Sequence, residues 1–301
     1  MKRRKFLTIF AAAALWPRRT LAQLGGATDP LVSVSWLTSH LGDKNLVVVD
    51  IRSADEFSEG HIPGAVSSDF ASAGWRTTRS HLPLMLPPAA QLEALIGGLG
   101  VDESSTVVVV PAGTDVDDFG AAARVYWTLK VSGVRNVALL DGGFAAWRAS
   151  GNPLETATRD PPPTLFAVQI DSSMLVEASE VETIVRSGNA ALIDARPASY
   201  FSGRYKVPVV RAFGHIPGAL SLDRAVFYAA TRNRLKSVPE LAKIASRLPK
   251  GPIVTYCNSG HWSATVWFVL SELLHRPGVR LYSGSMIEWT ADPRRPVTTA
   301  R

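Results

Sequence analysis

Residues 252–264 are Pro-Ile-Val-Thr-Tyr-Cys-Asn-Ser-Gly-His-Trp-Ser-Ala. The β-branched run that ends at Tyr256 predicts a strand, and the glycine-containing segment after it predicts a loop. The apolar residues from Ala264 to about Leu274 have helical spacing. The cysteine therefore lies at the turn of a strand–loop–helix unit, where backbone amides and the positive end of the helix favour an anion.

Cys257 is the only cysteine among the 301 residues. At such a turn, a thiol is expected to be populated as the nucleophilic thiolate near neutral pH. The alternative is a buried structural cysteine, because free cysteine is among the most buried residue types. The loop position favours the reactive thiol, and a single cysteine excludes an internal disulfide.

The N-terminus predicts export. Residues 2–5 are basic, residues 7–16 are apolar, and Thr20-Leu21-Ala22 offers a small-residue cleavage site. Residues 1–22 therefore have the features of a secretory signal peptide, with an apolar core shorter than the ~20 residues that span a bilayer. The pair Arg3-Arg4 favours a twin-arginine signal, which places the protein in the periplasm. An ordinary secretion signal or a monotopic anchor is the alternative.

The formal charge argues against a nucleic-acid partner. The chain carries +6, but residues 1–22 hold six basic residues and no acidic one, so the rest of the chain is neutral. The basic excess is therefore part of the export signal and not a nucleic-acid surface. No later segment predicts a stable membrane span.

Four motifs occur twice in the same order, 142 to 154 residues apart. A period of this length indicates two duplicated domains, not a solenoid. The polar, proline-rich segment 156–164 separates the halves and predicts an extended linker. The pairs are Val47–Arg52 with Ala191–Arg196, Gly60–Ala65 with Gly214–Ala219, Thr106–Val110 with Pro252–Tyr256, and Asp141–Trp147 with Ser283–Trp289.

Each half alternates short β-branched runs with helical patterns. This alternation predicts an α/β fold, with a mainly parallel sheet covered by helices on both faces. In such sheets ligands bind at the carboxyl ends of the strands, and Cys257 follows one of these ends. In the first half we predict strands at Leu46–Asp50, Thr106–Val110 and Val137–Leu140, and helices that include Pro88–Leu99 and Phe119–Val131.

The chain resembles the two-domain sulfurtransferases of the rhodanese superfamily, the thiosulfate and 3-mercaptopyruvate type. The resemblance rests on Asp-x-Arg after a strand, the two His-Ile-Pro-Gly-Ala motifs, the cysteine loop and the segment Tyr282–Trp289. It covers most of the chain after the signal segment. It implies two tandem rhodanese-like domains, a non-catalytic one at 29–155 and a catalytic one at 171–300, joined by a linker at 156–170.

The resemblance also implies that only the second domain is catalytic. The position that matches Cys257 in the first half is Pro111, which is no nucleophile and has no backbone N–H. His61 and His215 belong to the motif in both halves, including the half without a thiol. This favours a structural role in a turn over a catalytic one.

In this family the cysteine takes the sulfane sulfur of a donor as a persulfide and passes it to a thiol or cyanide acceptor. We expect the loop amides from Asn258 to Ser263, with Asn258 and Gly260 among them, to hold the anionic sulfur. Arg196 matches an arginine that binds substrate anions in the family, and its alternative role is a surface or interdomain salt bridge. Arg204 and Arg211 are further candidates, but their spacing does not decide between an anion clamp and a solvated surface.

Three residues resemble the mercaptopyruvate type, in which Asp, His and Ser form a relay on the substrate carbonyl. They are Asp69, His81 and Ser259. In this role the carboxylate orients the imidazole, the imidazole moves a proton and the hydroxyl donates to the oxygen. The alternative is that they are separate polar loop residues, and the preferred donor stays open.

The loop departs from the family pattern at His261 and Trp262, which are bulky. They are expected to narrow the pocket or stack on a substrate, and a cationic His261 would favour the thiolate. The alternative is that His261 points into solvent and Trp262 packs against the first domain.

The cysteine loop can also be compared with the requirements of two other functions. A cysteine phosphatase needs an arginine six positions after the thiol, and position 263 is serine. A periplasmic sulfur carrier or thiol-redox partner protein would hold a persulfide for another protein without turnover. The expected partners are a small-molecule sulfur donor, a thiol or cyanide, and a possible protein acceptor. No cofactor or metal site is expected, because the six histidines are scattered and there is no cysteine pair.

Overall fold

The computed structural model describes residues 28–300, so the predicted signal peptide lies outside the described residues. The first domain is built on a five-stranded parallel sheet with the strand order β1-β7-β6-β2-β3. A small antiparallel hairpin, β4–β5, projects from it. The elements in chain order are β1 Leu31–Val32, α1 Val34–His40, β2 Leu46–Asp50, α2 Ala54–Glu59, β3 Val66–Ser67, β4 Thr77–Arg79, β5 Leu82–Met85, α3 Ala89–Gly98, β6 Thr106–Val110, α4 Val116–Val131, β7 Asn136–Leu140 and α5 Gly143–Ala149.

The second domain repeats this plan with a four-stranded parallel sheet in the order β13-β12-β8-β9. Where β1 pairs with β7 in the first domain, a single bridge joins Leu175 to Leu281 in the second. The elements are α6 Ala178–Ser187, β8 Ala191–Asp194, α7 Ala198–Phe201, β9 Leu220–Ser221, β10 Tyr228–Ala229, β11 Arg234–Leu235, α8 Val238–Ala245, β12 Ile253–Tyr256, α9 His261–Trp267, β13 Val279–Leu281 and α10 Ser285–Trp289.

Alternation of side chains along the central strands places helices on both faces of each sheet. In β6, Val107 and Val109 pack into one apolar cluster, and Val108 and Val110 pack into another on the opposite face. All four valines are fully buried, as expected for a central strand of a parallel sheet. The predicted fold class, α/β with two tandem domains, is confirmed.

The predicted strands agree closely with the structure, and the differences lie at helix ends. Helix α4 begins at Val116 instead of Phe119, because the Asp115 side chain accepts hydrogen bonds from the amides of Asp117 and Asp118. Helix α9 begins at His261 instead of Ala264, and it continues as a π-helical segment over Phe268–Leu273.

The two domains share one apolar core. Helix α4 of the first domain packs along α9 of the second, and the Phe268 ring lies 5.8 Å from the Phe119 ring and 4.9 Å from the Tyr126 ring. The Tyr126 hydroxyl also donates to Glu272 Oε2 at 2.7 Å. In addition, Met85 of the β4–β5 hairpin packs into the core of the second domain. The site at the end of β12 therefore lies close to the first domain.

Residues 156–170 contain no helix or strand and are held against the first domain. The Thr164 amide donates to the Gly97 carbonyl at 2.9 Å, and a Cβ at Gly97 would collide with the Thr164 carbonyl oxygen. Only glycine at 97 allows this close approach. Among residues 28–300, no helix is long and apolar enough to cross a membrane.

Candidate active site

Cys257 lies directly after β12, a central strand flanked by β13 and β8. Its side chain is almost fully enclosed, with 1% of the residue exposed. The Cys257 amide donates to Ser285 Oγ at 3.1 Å, and the Ser263 hydroxyl donates to the Cys257 sulfur at 3.5 Å. The thiol therefore stands at the carboxyl edge of the sheet, where parallel α/β folds bind ligands.

The carbonyl groups of the loop are each held by a donor outside it. The Cys257 carbonyl accepts from the Met286 amide at 3.1 Å, and the Asn258 carbonyl accepts from the Ile287 amide at 3.0 Å. The Ser259 carbonyl accepts from Arg124 Nη1 at 3.0 Å. In a trans peptide the N–H points opposite to the carbonyl of the same unit. The amides that follow these carbonyls therefore point away from α10 and Arg124.

These three amides belong to Asn258, Ser259 and Gly260. Within the described residues they donate to no protein acceptor. Successive unpaired amides of a tight loop form a concave anion-binding nest. The loop can therefore stabilise an anion with backbone dipoles that are already oriented.

The matching loop of the first domain has the same backbone contacts, and its amides bind a carboxylate of that domain. The carbonyls of Pro111 and Ala112 accept from the amides of Phe144 and Ala145 at 2.8 and 2.9 Å, matching the contacts of Cys257 and Asn258 with α10. Here, however, the loop amides donate to the Asp118 carboxylate. The distances are 2.9 Å from Ala112, 2.6 Å from Gly113 and 3.3 Å from Thr114. The duplicated loop is thus an anion site in the half without a thiol.

Asp118 and Ser263 occupy matching positions in their helices. Asp118 is the third residue after the N-cap Asp115, and Ser263 is the third residue after the N-cap Gly260. The loop that contains Cys257 therefore has the neutral Ser263 hydroxyl at the position where the first domain has the Asp118 carboxylate. In the first domain that carboxylate accepts the hydrogen bonds of the loop amides.

Arg196 lies under the loop and has no exposed surface. Its guanidinium contacts Asp194 Oδ2 at 2.6 Å, the Gly214 carbonyl at 2.8 Å and Asn258 Oδ1 at 3.3 Å. Arg52 makes the matching contacts with Asp50 and the Gly60 carbonyl in the first domain. Its guanidinium is thus engaged by contacts within the second domain. Its geometry is that of a residue that positions Asn258.

Arg204 and Arg211 are exposed and lie away from the loop contacts. Arg204 Nε donates to Ser202 Oγ at 3.2 Å, and the Arg211 guanidinium donates to the Ala291 carbonyl at 3.4 Å. The two motif histidines make the backbone contact that a turn role requires. Their Nδ1 atoms bond the carbonyls of Phe57 and Phe201, and each ring stacks on that phenylalanine.

The three expected relay residues lie on three different segments, after β3, between β4 and β5, and after β12. The Asp69 carboxylate accepts from the Ala71 amide and the Ser72 hydroxyl, so it caps a local turn. His81 is exposed at the tip of the β4–β5 hairpin. Ser259 is enclosed in the loop beside Cys257. Within residues 28–300, no hydrogen bond links any two of these three side chains.

His261 points toward the first domain. Its Nε2 lies 2.9 Å from the Asp117 carbonyl oxygen, and its ring lies 5.2 Å from the Phe70 ring. Burial, aided by the nearby cations Arg76 and Arg124, lowers the pKa of His261 to about 4. At neutral pH the imidazole is therefore neutral, and in this structure it does not supply the cation considered above.

Trp262 packs within the second domain. The Arg224 guanidinium lies 4.0 Å above its ring, and the Tyr200 ring meets it edge-on at 5.6 Å. Arg224 is held by Asp117 of the first domain at 2.5 Å and by Asp223 at 3.1 Å. Trp262 thus packs against Arg224 and Tyr200, and Arg224 forms an ion pair with Asp117 of α4.

Sequence reasoning missed two contacts that build the loop, those from Ser285 and Arg124. Ser285 lies within the recognised segment Tyr282–Trp289, but its contact follows only from the fold. Arg124 carried a signal, because it is a lone charge inside an apolar run, Ala121-Ala-Ala-Arg-Val-Tyr-Trp127. A charge on an otherwise apolar helix is seldom fully buried without a partner. Within the described residues, no group of His, Cys, Asp and Glu side chains suits a metal ion.

The model of the rhodanese-like domain matches the chain twice, at residues 33–150 and 177–292. The chain belongs to the rhodanese family. Its relatives include a putative thiosulfate sulfurtransferase of Synechococcus elongatus, 32% identical over 91% of this chain and 86% of that protein. They also include the 3-mercaptopyruvate sulfurtransferase of Escherichia coli, 31% identical over 90% of this chain and 98% of that protein.

Solved structures agree with this assignment. The crystal structure of SseA from Escherichia coli superposes with a TM-score of 0.74 at 29% identity, over 86% of this chain and 99% of that one. EanB in complex with ergothioneine superposes with a TM-score of 0.77 over 90% of this chain and 70% of that one. At 22% identity, this likeness shows the fold alone. The chain is a sulfurtransferase.

Proposed function

We propose that this rhodanese-family sulfurtransferase carries sulfur on Cys257, from 3-mercaptopyruvate or thiosulfate to a thiol or cyanide. One observation carries the proposal. The duplicated loop binds an internal carboxylate, Asp118, in the first domain, and in the second domain it has a thiol and, among residues 28–300, no carboxylate on its amides. The loop is thus suited to stabilise an anion that forms on Cys257.

The reaction balances as two displacements at sulfur. The Cys257 thiolate attacks the outer sulfur of the donor and forms an S–S bond, and the donor's bond to that sulfur breaks with its electron pair. Thiosulfate leaves as sulfite, and mercaptopyruvate leaves as the enolate of pyruvate, which takes a proton. The acceptor then attacks the outer sulfur of the persulfide, and the Cys257 thiolate is released again.

Residues of the loop have separate tasks in this scheme. The amides of Asn258, Ser259 and Gly260 stabilise the anionic sulfur, and the Ser263 hydroxyl donates to the Cys257 sulfur. Arg196 holds Asn258 in place from below. These groups are fixed before the donor arrives, so little reorganisation is needed when charge moves onto sulfur.

The choice of donor is tested by kcat/KM for both compounds with cyanide or a small thiol as acceptor. We expect Ser259→Ala to reduce mercaptopyruvate turnover about 10²-fold or more and thiosulfate turnover much less, because thiosulfate has no carbonyl for the hydroxyl to polarise. His81→Ala is the matched comparison. Because His81 is exposed and forms no hydrogen bond with Ser259 among the described residues, we expect only a small change with either donor.

Turnover itself separates the enzyme from the sulfur carrier. Repeated turnover with a small acceptor supports the proposal. Transfer of a single sulfur per chain, with no further cycles, contradicts it and favours a carrier that delivers sulfur to a partner protein.

We further propose that residues 1–22 direct the protein to the periplasm by the twin-arginine route. The basic Arg3-Arg4 pair, the short apolar core and the small-residue site at Ala22 support this proposal. Replacing both arginines by lysine is expected to leave the protein in the cytoplasmic fraction. Unchanged export of that variant contradicts the twin-arginine route.

A further inference from the structure

Arg124 is a buried cation from the first domain that touches the loop of the second. It lies in the middle of α4, and none of its surface is exposed. Its Nη1 donates to the Ser259 carbonyl at 3.0 Å. Its Nε and Nη2 atoms are buried and have no hydrogen-bond partner among the described residues.

No carboxylate neutralises Arg124 within the described part of the chain. An uncompensated buried charge costs several kcal/mol, so such a residue is retained for a reason other than stability. Burial, together with the nearby Arg76, lowers the pKa of Arg124 to about 10. The guanidinium therefore stays cationic near neutral pH.

The anion that Arg124 serves forms on the loop that it holds. Its guanidinium is fully enclosed, and among residues 28–300 it bonds the Ser259 carbonyl, two residues after Cys257. A thiolate or persulfide on Cys257 therefore belongs to the same short loop as this contact. Arg196 also contacts the loop, through Asn258 Oδ1 at 3.3 Å, but its own charge is matched by Asp194 at 2.6 Å. Of these two arginines, Arg124 is thus the one whose charge is not paired among residues 28–300.

Other charged and titratable groups around this position do not replace Arg124. Arg76 makes no hydrogen bond to the loop among the described residues, and its guanidinium lies 4.1 Å above the Phe70 ring. His261 is neutral at neutral pH, because burial lowers its pKa to about 4. The Tyr256 phenol is buried, and burial raises its pKa well above the usual value, so it is neutral as well.

Contact with the backbone gives Arg124 a second effect. Gly260 has a positive φ of 77°, and a Cβ at this position would collide with Arg124 Nη1. The guanidinium therefore rests directly on the Ser259–Gly260 peptide. By holding the carbonyl of this unit, it turns the Gly260 amide the opposite way, into the nest.

We propose that Arg124 is a positioning residue that the first domain supplies to the sulfur-transfer site of the second. It orients the Gly260 amide through the Ser259 carbonyl, and its enclosed charge favours the thiolate and persulfide anions of Cys257 over their neutral forms. The inference rests on the proposed function for the persulfide, but its effect on the thiolate needs no donor. It gives the domain without a thiol a direct part in the chemistry.

The test compares Arg124→Gln and Arg124→Lys with the wild-type protein. The rate of Cys257 alkylation by iodoacetamide is measured against pH by mass spectrometry, and kcat is measured with both donors. For Arg124→Gln we expect the alkylation midpoint to rise by about one pH unit or more, since one unit corresponds to a tenfold change in the thiolate equilibrium. We expect kcat to fall about 10–100-fold, because one oriented donor and one charge are lost.

Arg124→Lys keeps the charge but has a single compact head in place of the planar fork. We expect its alkylation midpoint to stay within about half a pH unit of the wild type and its kcat to fall about 3–10-fold. The matched control is Arg52→Gln, which removes a buried arginine of the first domain that does not touch the loop. This control is expected to lower thermal stability and leave the alkylation profile unchanged.

A folded Arg124→Gln protein with the wild-type alkylation profile overturns the inference. If that variant does not fold, Arg124→Lys decides, and wild-type kcat or a midpoint shift above one unit overturns the inference. An alkylation shift in Arg52→Gln as large as that in Arg124→Gln also contradicts it, because the effect would then come from loss of domain stability. Alkylation requires no sulfur donor, so a failure of the proposed function is seen separately as absent turnover in the wild-type protein.

Discussion

Ser263 and Asp118 mark a chemical difference between the two loops that is separate from the exchange of Cys257 for Pro111. The two positions match, but Asp118 places a carboxylate on the loop amides, and Ser263 offers a hydroxyl 3.5 Å from the Cys257 sulfur. A carboxylate bound by two or three amides is an anion in the nest that the persulfide needs. The identity of this one side chain therefore decides whether the nest is available to sulfur.

We predict that Ser263→Asp abolishes sulfur loading while the protein stays folded. The new carboxylate would occupy the amides and repel the Cys257 thiolate at short range. Turnover is expected to fall at least about 100-fold, compared with about 10-fold or less for the control Ser263→Ala, which loses one hydrogen bond. Equal activity of the two variants would mean that the amides of the loop do not hold the anion.

His261 makes a prediction about stability and pH. Its pKa in the folded state, about 4, lies below the ordinary value because the half-buried ring loses solvation against the first domain, so folding favours the neutral form. This contribution is fully present above about pH 6.5 and is lost as the pH falls through about 4. Between pH 7 and pH 4 the free energy of unfolding of the wild type falls. We predict that for His261→Gln this decrease is smaller, by up to about 3 kcal/mol.

Urea unfolding at the two pH values measures this difference. The control is His81→Asn, because His81 is an exposed histidine with a positive φ of 65° that asparagine tolerates. Its acid dependence is expected to match that of the wild-type protein. The same acid loss in His261→Gln as in the wild type would contradict a neutral His261.

The sequence predicted where Cys257 lies, at the turn between a strand and a helix, but not the contacts that hold its loop. The sequence also predicted that Arg196 binds substrate anions, but Arg52 repeats the contacts of Arg196 in the domain without a thiol. A contact that recurs without the thiol indicates a structural role, for both arginines as for His61 and His215. The contact of Arg124 was not predictable, because it joins segments 135 residues apart.

Helix α4 is the element that connects the domains. Nearly all of its residues from Phe119 to Val131 are buried, because one side packs on its own sheet and another packs on α9. A helix that is apolar on all sides indicates burial on all sides. The sequence predicted this helix, and its apolar residues on all sides indicate burial. The sequence did not predict that α9 packs on it, because periodicity does not identify the facing element.

We predict that Phe268→Ala destabilises the whole protein. The Phe268 ring is fully buried against Phe119 and Tyr126 of the other domain, and removal of such a side chain costs about 3–5 kcal/mol. The control is Leu165→Ala, because Leu165 is 98% exposed and its removal is expected to change stability by less than about 0.5 kcal/mol. Chemical denaturation gives both values, and a small effect of Phe268→Ala would contradict a shared core.

For the whole molecule, the repeated motifs predicted two domains of one fold, and the two matches to the rhodanese-like domain agree. Their mutual packing could not be predicted, because it depends on contacts such as that of Met85 with the second core. The shared core predicts one cooperative thermal transition for the chain. Calorimetry tests this, and two separate transitions, with only the second removed by Phe268→Ala, would contradict it.

Sulfur transfer through Cys257 is tested by mass spectrometry of the full chain. The protein is incubated with thiosulfate or 3-mercaptopyruvate, freed of the donor and digested. We predict a gain of one sulfur atom on the peptide that contains Cys257, loss of that sulfur on addition of cyanide, and no gain in Cys257→Ser. No gain with either donor, or an equal gain in the serine variant, would contradict the account.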